Sequence, residues 1–133
     1  MIENDLVKRS ISLLKKEKYC KEIKKEIPFL SRCIDVVYIN QYDEVVSIEF
    51  KIKDVHHAIE QAKNHKLGAD KSYICLPKRK LSEKTMNEII NENLGLLFYD
   101  SHDKRIIEEI APPEIKTNAN IFKKLLLLNY NRI

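Results

Sequence analysis

The stretch EVVSIEFKIK (residues 44–53) alternates apolar and polar side chains from Val46 onward, as a β-strand does. The even positions from Val46 to Ile52 are all apolar, which predicts that this face packs in a core. The other face carries Glu49 and Lys51, with Cα atoms about 6.5 Å apart in an extended strand, so both side chains can reach one small ligand. Burying either charge is costly without a partner. The pair is therefore either a half-solvated salt bridge or the centre of a functional site.

The preceding stretch RCIDVVYIN (residues 32–40) is rich in β-branched and aromatic residues and is followed by the turn residues QYDE, which predicts a β-hairpin. Asp35 interrupts its apolar run, and an acid among apolar neighbours needs a partner. The hairpin brings Asp35 close to Glu49 and Lys51. Two carboxylates repel each other unless a cation joins them, and oxygen ligands of this kind suit Mg²⁺ or Mn²⁺. Asp35 thus favours the interpretation of Glu49 and Lys51 as a site.

The segments on either side of the hairpin have recognisable periods. Residues 3–17 predict a helix with Glu3 at one end of its inward stripe. Residues 19–29 predict either an extension of that helix or an edge strand, and we favour the strand. Residues 55–67 return to helical spacing before a buried strand at 71–77, which predicts a parallel, right-handed β-α-β crossover.

The C-terminal part predicts a helix after Ser82, two strands in GLLFYDS and KRIIEEI, and an apolar helix over residues 118–133. That last helix must be buried, either against the sheet or in a homodimer contact, and base rates favour the sheet. Gly68 and Gly95 fall at predicted helix C-termini, where a left-handed residue is favoured. The fold class expected for the 133 residues is α/β, with one mixed sheet flanked by helices in a single domain.

The composition, 44% hydrophobic and 33% charged, is typical of a folded protein and excludes a disordered chain. There is no apolar signal-peptide region and no run of about 20 apolar residues, so we expect a cytoplasmic protein without a membrane segment. Cys20, Cys33 and Cys75 have no CxxC spacing, which predicts reduced thiols and neither a disulfide framework nor a zinc site.

The formal net charge of +4 is unevenly distributed, because the first 25 residues are rich in lysine and arginine and PKRK (residues 77–80) forms a second basic cluster. Each cluster is either a solvated surface or a binding patch for a polyanion. The candidates for phosphate contact are Lys8, Arg9, Lys15, Lys53, Lys78, Arg79 and Lys80.

Asp35, thirteen intervening residues, Glu49-Phe50-Lys51 and a following helix with Gln61 together resemble the PD-(D/E)xK nuclease superfamily. This is the restriction-endonuclease-like fold that Holliday-junction resolvases share. The resemblance implies an α-β-β-β-α-β core, here with an additional α-β-β-α at the C-terminus. The sequence departs from the pattern at Ile34, where the superfamily nominally has proline.

The resemblance also implies roles for these residues. Asp35 and Glu49 would bind Mg²⁺ or Mn²⁺ with the backbone carbonyl of Phe50, and Lys51 would activate water. Glu3 is the candidate for the glutamate that the first helix often adds, and Gln61 matches a helical glutamine of several branches. The function implied is metal-dependent hydrolysis of nucleic acid, with DNA favoured, in repair, recombination or defence.

Two alternatives to this nuclease hypothesis stay open. One is a catalytically silent nucleic-acid-binding or protein-assembly module on the same fold, and the other is an α/β interaction domain with these residues as surface charges. The ExK pattern itself occurs three times, beginning at Glu22, Glu49 and Glu114, but only the middle copy has a strand with an acid before it. His57 and His65 share a helical flank with Gln61. The two histidines either lie near the scissile phosphate, bind a metal, or form a polar outer stripe, and the outer stripe is the favoured interpretation.

Overall fold

The computed structural model describes residues 1–16, 20–114 and 121–133. In these ranges the helices are α1 (Glu3–Leu14), α2 (Val55–His65), α3 (Glu83–Asn91) and α4 (Ile121–Asn131). The strands are β1 (Cys20–Phe29), β2 (Arg32–Asn40), β3 (Val45–Phe50), β4 (Lys71–Pro77), β5 (Gly95–Asp100) and β6 (Arg105–Ile110). Residues 20–29 are therefore a strand, as favoured, and the first helix ends three residues earlier than predicted.

The six strands form one mixed sheet in the order β1-β2-β3-β4-β5-β6. The first three strands are antiparallel, β3, β4 and β5 run parallel, and β6 is antiparallel to β5. The predicted hairpin and the parallel β3-α2-β4 connection are both confirmed. This topology places β3 in the interior of the sheet, so both of its faces are covered.

The alternation of side chains along the strands divides the core between the two faces of the sheet. On one face, Val36, Ile48 and Phe50 pack in the cluster that contains Leu6 and Leu14 of α1. On the other face, α2 and α3 pack against strands β4 and β5. Glu49 points to the α2 face because its neighbours Ile48 and Phe50 point to the α1 face.

The C-terminal helix α4 packs on β1, with Leu126 and Tyr130 buried. The Tyr130 hydroxyl donates a hydrogen bond to the carbonyl of Glu22 at 2.8 Å, which fixes the helix across the strand. Phe122 and Leu127 are partly buried against the same cluster, whereas Ile121, Leu125 and Leu128 are exposed. Intramolecular packing therefore covers one side of the helix, the homodimer stays a prediction, and residues 118–120 of the predicted helix lie outside the described residues.

The prediction that the two glycines cap helices in the left-handed conformation is wrong. Neither has a positive φ, and Asn93, with φ of 58°, is the left-handed residue after α3. Gly95 is required instead by close packing, since a Cβ there would lie 2.5 Å from a ring carbon of Tyr73. At Gly68 a Cβ would lie 2.8 Å from the ring of Phe29. Both glycines thus allow an aromatic ring to contact the backbone.

Within the described ranges no helix is both long and apolar enough to cross a membrane. Cys33 is exposed, Cys75 is buried, and both thiols are free, as the spacing of the cysteines predicts.

Candidate metal and nucleic-acid site

The acidic residues meet where β2 and β3 stop pairing. The pairing of these strands extends from Ile39 opposite Val45 to Val36 opposite Ile48. Asp35 is the next residue beyond the last pair. There the Phe50 amide donates a hydrogen bond of 2.8 Å to Oδ2 of Asp35. A carboxylate thus replaces the next ladder bond, and this places the Asp35 carboxyl group beside Glu49. The sequence prediction that Asp35 and Glu49 come together is consistent with this geometry.

Glu49 is the buried acid of the site, with 2% of its surface exposed. Burial raises the pKa of its carboxyl group to about 10, and Asp35 adds to the rise through a shared hydrogen bond and charge repulsion. The charges of Lys51 and Glu3 act in opposite directions, lowering and raising this pKa respectively. Near neutral pH the Glu49 carboxyl group therefore keeps its proton.

Helix α2 adds a histidine that the sequence hypothesis placed on an outer polar stripe. His57 is exposed, as expected, but His65 is 3% exposed and its Nδ1 lies 3.4 Å from Oε2 of Glu49. The two atoms are not hydrogen-bonded to each other, and neither has another hydrogen-bond partner among the described residues. Burial lowers the pKa of His65 to about 4, so its imidazole is neutral. The prediction of an outer His65 is wrong.

A sequence signal for this burial exists. His65 follows Ala58 and Ala62 at the i, i+4, i+7 spacing of the buried face of α2. Gln61 lies one turn before His65, and its Oε1 is also buried without a hydrogen-bond partner in the part of the chain that is described. Buried polar atoms without partners are rare in native proteins. Three such atoms, on Glu49, Gln61 and His65, therefore mark this end of α2 as a site for a further ligand.

Lys51 follows the end of β3, and its ammonium group pairs with Glu3 at 3.8 Å. Glu3 begins α1, so this helix does bring its first residue to the site. Glu49 and Lys51, predicted to share a face, diverge: one contacts α2 and the other contacts α1. The reason is that regular pairing ends at Phe50, after which the chain bends away.

The basic residues predicted to contact phosphates are in different positions relative to this site. Lys8 lines a cavity of about 210 Å³ together with Asp35, and the same cavity includes Lys25 of β1, which the sequence did not single out. Lys78 pairs with Asp100 at 3.5 Å. Four more of the predicted residues have exposed side chains, namely Arg9, Lys15, Lys53 and Lys80.

Arg79, also predicted to contact phosphate, makes contacts inside the protein. Its guanidinium group donates hydrogen bonds to the carbonyls of Ile52 and Lys53, the latter at 3.0 Å. It thereby holds the segment that directly follows Lys51 against the end of β4. Arg79 is thus a residue that positions one side of the site.

The donor chemistry of the site fits a divalent cation. Two neighbouring carboxylates repel each other, and a bound Mg²⁺ or Mn²⁺ removes the repulsion because the cation neutralises both charges. In the described parts of the chain no three histidine, cysteine, aspartate or glutamate side chains form a complete metal-binding group. Two carboxylates alone do not complete a coordination shell, so further ligands would be needed, among them the predicted Phe50 carbonyl and water.

The mixed sheet with acids at the end of the β2–β3 hairpin defines an α/β fold with a restriction-endonuclease-like core. A Silicibacter pomeroyi protein of unknown function has a TM-score of 0.68 at 17% identity, over 99% of this chain and 86% of that one. A repair endonuclease from Pyrococcus abyssi has a TM-score of 0.53 at 19% identity, over 83% of this chain and 46% of that one. A complex of EndoMS with double-stranded DNA gives 0.51 at 16% identity, over 84% and 46%.

At these identities the comparisons establish a shared fold, and the predicted fold class is confirmed. This chain spans about half the length of the repair endonuclease and of EndoMS. No protein-family model matches the sequence, and no curated protein sequence matches it significantly.

Proposed function

We propose that this protein is a divalent-metal-dependent nuclease of the PD-(D/E)xK type that hydrolyses phosphodiester bonds of nucleic acid, with DNA as the favoured substrate. Repair, recombination or defence is the setting we infer for it. The observation that carries the proposal is the Asp35 carboxylate, which the Phe50 amide holds at the end of the β2–β3 hairpin beside the buried Glu49. Lys51 lies beside them in an ion pair with Glu3.

The acids supply the binding site for the ion. Asp35 and Glu49 would hold Mg²⁺ or Mn²⁺ together with the backbone carbonyl of Phe50, and Glu49 would release its proton. A bound ion of this kind lowers the pKa of a coordinated water and neutralises charge on the phosphate under attack. The Phe50–Asp35 hydrogen bond keeps the Asp35 carboxylate oriented toward Glu49.

Lys51 supplies the positive charge that the reaction needs beside the acids. Its side chain is 21% exposed, so its ammonium group reaches solvent while Glu3 holds its direction. In that position it orients the attacking water and stabilises negative charge that develops on the phosphate. Gln61, one turn before His65, tunes the site from α2.

The cavity next to Asp35 accounts for substrate binding. Lys8 and Lys25 line it together with the acids Glu26 and Asp35, and the two lysines would pair with phosphates on either side of the scissile bond. Contacts of this kind give affinity without sequence selectivity. The EndoMS complex with double-stranded DNA supports nucleic acid as the partner for a protein of this fold.

The test is cleavage of linear duplex, branched, single-stranded and RNA substrates with Mg²⁺, Mn²⁺ or EDTA. We expect metal-dependent cleavage that falls by about 10³-fold in Asp35→Ala and in Lys51→Ala. Lys84→Ala, an exposed lysine of α3 far along the chain from the site, is the matched control and should retain full activity.

Activity that survives Lys51→Ala would contradict the proposal, because it would have to arise elsewhere. Binding of DNA without cleavage under any metal condition would support the silent nucleic-acid-binding module on the same fold. The assay therefore separates the two hypotheses on the same samples.

A further inference from the structure

Glu49 and His65 place two potential ligand atoms at an unusual separation. Oε2 of Glu49 and Nδ1 of His65 are 3.4 Å apart, and neither has a hydrogen-bond partner within the described ranges. Both side chains are at least 97% buried, so bulk water does not satisfy them. The two atoms therefore need a further ligand that both can bind.

The separation fits two ligands on one metal ion. Ligand atoms in neighbouring positions of an octahedral or tetrahedral site lie roughly 3.0–3.5 Å apart when each bond is about 2.1 Å. We propose that Nδ1 of His65 binds the same divalent ion as Glu49, and that this nitrogen ligand makes the site prefer Mn²⁺ to Mg²⁺. The inference rests on the metal site of the proposed function and adds a ligand from α2 to it.

The preference follows from the chemistry of the ligand. Mg²⁺ takes oxygen ligands in a strict octahedron, whereas imidazole nitrogen suits first-row transition metals. A site with Glu49 and Asp35 alone would not discriminate strongly between Mg²⁺ and Mn²⁺. When His65 is a ligand, a nitrogen atom replaces one oxygen ligand, and this weakens the binding of Mg²⁺ more than that of Mn²⁺.

The surroundings of His65 allow this role. Gln61 lies one turn earlier on the same side of α2, and its unpartnered Oε1 offers a further oxygen to the ion or to a water bound to it. His65 also lines a cavity of about 160 Å³ with Arg32 and Asn64. The buried ring therefore lies next to a space large enough for several waters.

The experiment uses the full chain loaded with Mn²⁺ alone. Electron spin echo envelope modulation detects imidazole nitrogen bound to Mn²⁺, and isothermal titration calorimetry gives the dissociation constants for Mn²⁺ and Mg²⁺. We expect nitrogen modulation in the wild type and its loss in His65→Asn, which puts an amide near the position of Nδ1. The Mn²⁺ dissociation constant should rise about tenfold or more, and that for Mg²⁺ by less than about threefold.

His57→Asn, the same substitution at an exposed position of α2, is the control and should leave both readouts unchanged. His65→Gln is a second variant in case His65→Asn does not fold, and it should lose the modulation in the same way.

Bound Mn²⁺ without imidazole nitrogen modulation, or equal weakening of Mn²⁺ and Mg²⁺ in the variants, would overturn the inference. Metal-dependent cleavage without the modulation leaves the proposed nuclease intact and removes only the His65 ligand. Modulation without cleavage on any nucleic acid supports the ligand and overturns the nuclease.

Discussion

The two ends of strand β3 carry buried acids in contrasting environments. At its start, Asp70 accepts a hydrogen bond of 2.7 Å from the Val45 amide and pairs with Lys123 at 3.0 Å. Next to it, Glu44 accepts a 2.7 Å hydrogen bond from Asn40. At its other end, five residues later, Glu49 has a buried oxygen without a hydrogen-bond partner in the described chain.

This contrast separates stability from function. A fully satisfied polar network orders the chain, whereas a partly satisfied one costs free energy that a fold keeps only for a reason such as a ligand. The start of β3 is thus a structural anchor, and its end is a site. Each prediction below alters one end and asks whether the other end responds.

The largest effect is expected at the structural end, from Asp70→Asn. The substitution removes the carboxylate charge that pairs with the Lys123 ammonium, whose side chain is only 13% exposed. We expect the free energy of unfolding to fall by about 3 kcal/mol, measured by denaturant titration. Affinity for Mn²⁺ per folded molecule should stay the same, and a parallel loss of metal affinity would contradict the separation of the two ends.

At the site end, Glu49→Gln should change the free energy of unfolding in the opposite direction to Asp70→Asn. The folded protein keeps the proton on Glu49 up to about pH 10, while the unfolded chain releases it near pH 4.5. Between these values the unfolded state binds fewer protons, so the free energy of unfolding of the wild type falls as pH rises. Glutamine does not titrate and removes this fall.

At pH 8 without metal, Glu49→Gln should therefore be more stable than the wild type, by about 1–3 kcal/mol. Thermal unfolding across pH 4.5 to 8 measures the effect, with Asp70→Asn as the comparison that stays less stable throughout. A variant that is less stable than the wild type at pH 8 would mean that Glu49 is a structural acid like Asp70.

Arg79→Lys tests how the segment after Lys51 is held. Lysine cannot reproduce the two hydrogen bonds to the carbonyls of Ile52 and Lys53, and one lost bond is worth about 1 kcal/mol. We expect kcat to fall about fivefold at nearly constant KM, because Lys51 is less well positioned. Lys80→Gln, at a neighbouring exposed position, is the control, and an equal effect there would point to substrate charge instead.

The smallest effect is expected from Lys8→Gln beside the Asp35 cavity. Removing one phosphate contact should weaken DNA binding severalfold and reduce the salt slope of the binding constant by about one. Fluorescence anisotropy at several salt concentrations measures both quantities. An unchanged slope would exclude Lys8 from the interface, and Lys84→Gln on α3 provides the baseline.

Much of the fold was predictable because it rests on local patterns. The alternation in residues 44–53, the turn before it and the helical spacing after Asp54 are enough for the hairpin and the crossover. Asp35 was identifiable as an acid in an apolar strand, and its approach to Glu49 follows from pairing alone.

The remaining features depend on packing that no local pattern encodes. The burial of His65 depends on how far α2 continues along β3, and its spacing with Ala58 and Ala62 became decisive only once that face was known. The divergence of Lys51 from Glu49 depends on where the ladder ends. The glycines were assigned to helix caps because their contacts with aromatic rings join residues distant in sequence.

The hydrogen bond from the Phe50 amide to Asp35 also bears on how this site would decay during evolution. Asp35 completes the hairpin as well as the proposed metal site, so its loss removes a structural bond, whereas the ion-pair partner of Lys51, Glu3, is exposed. Descendants that no longer need catalysis would shed the lysine first and retain the aspartate. A relative that has Asp35 without Lys51 should therefore be interpreted as an inactive branch of the lineage, and the aspartate alone as no sign of activity.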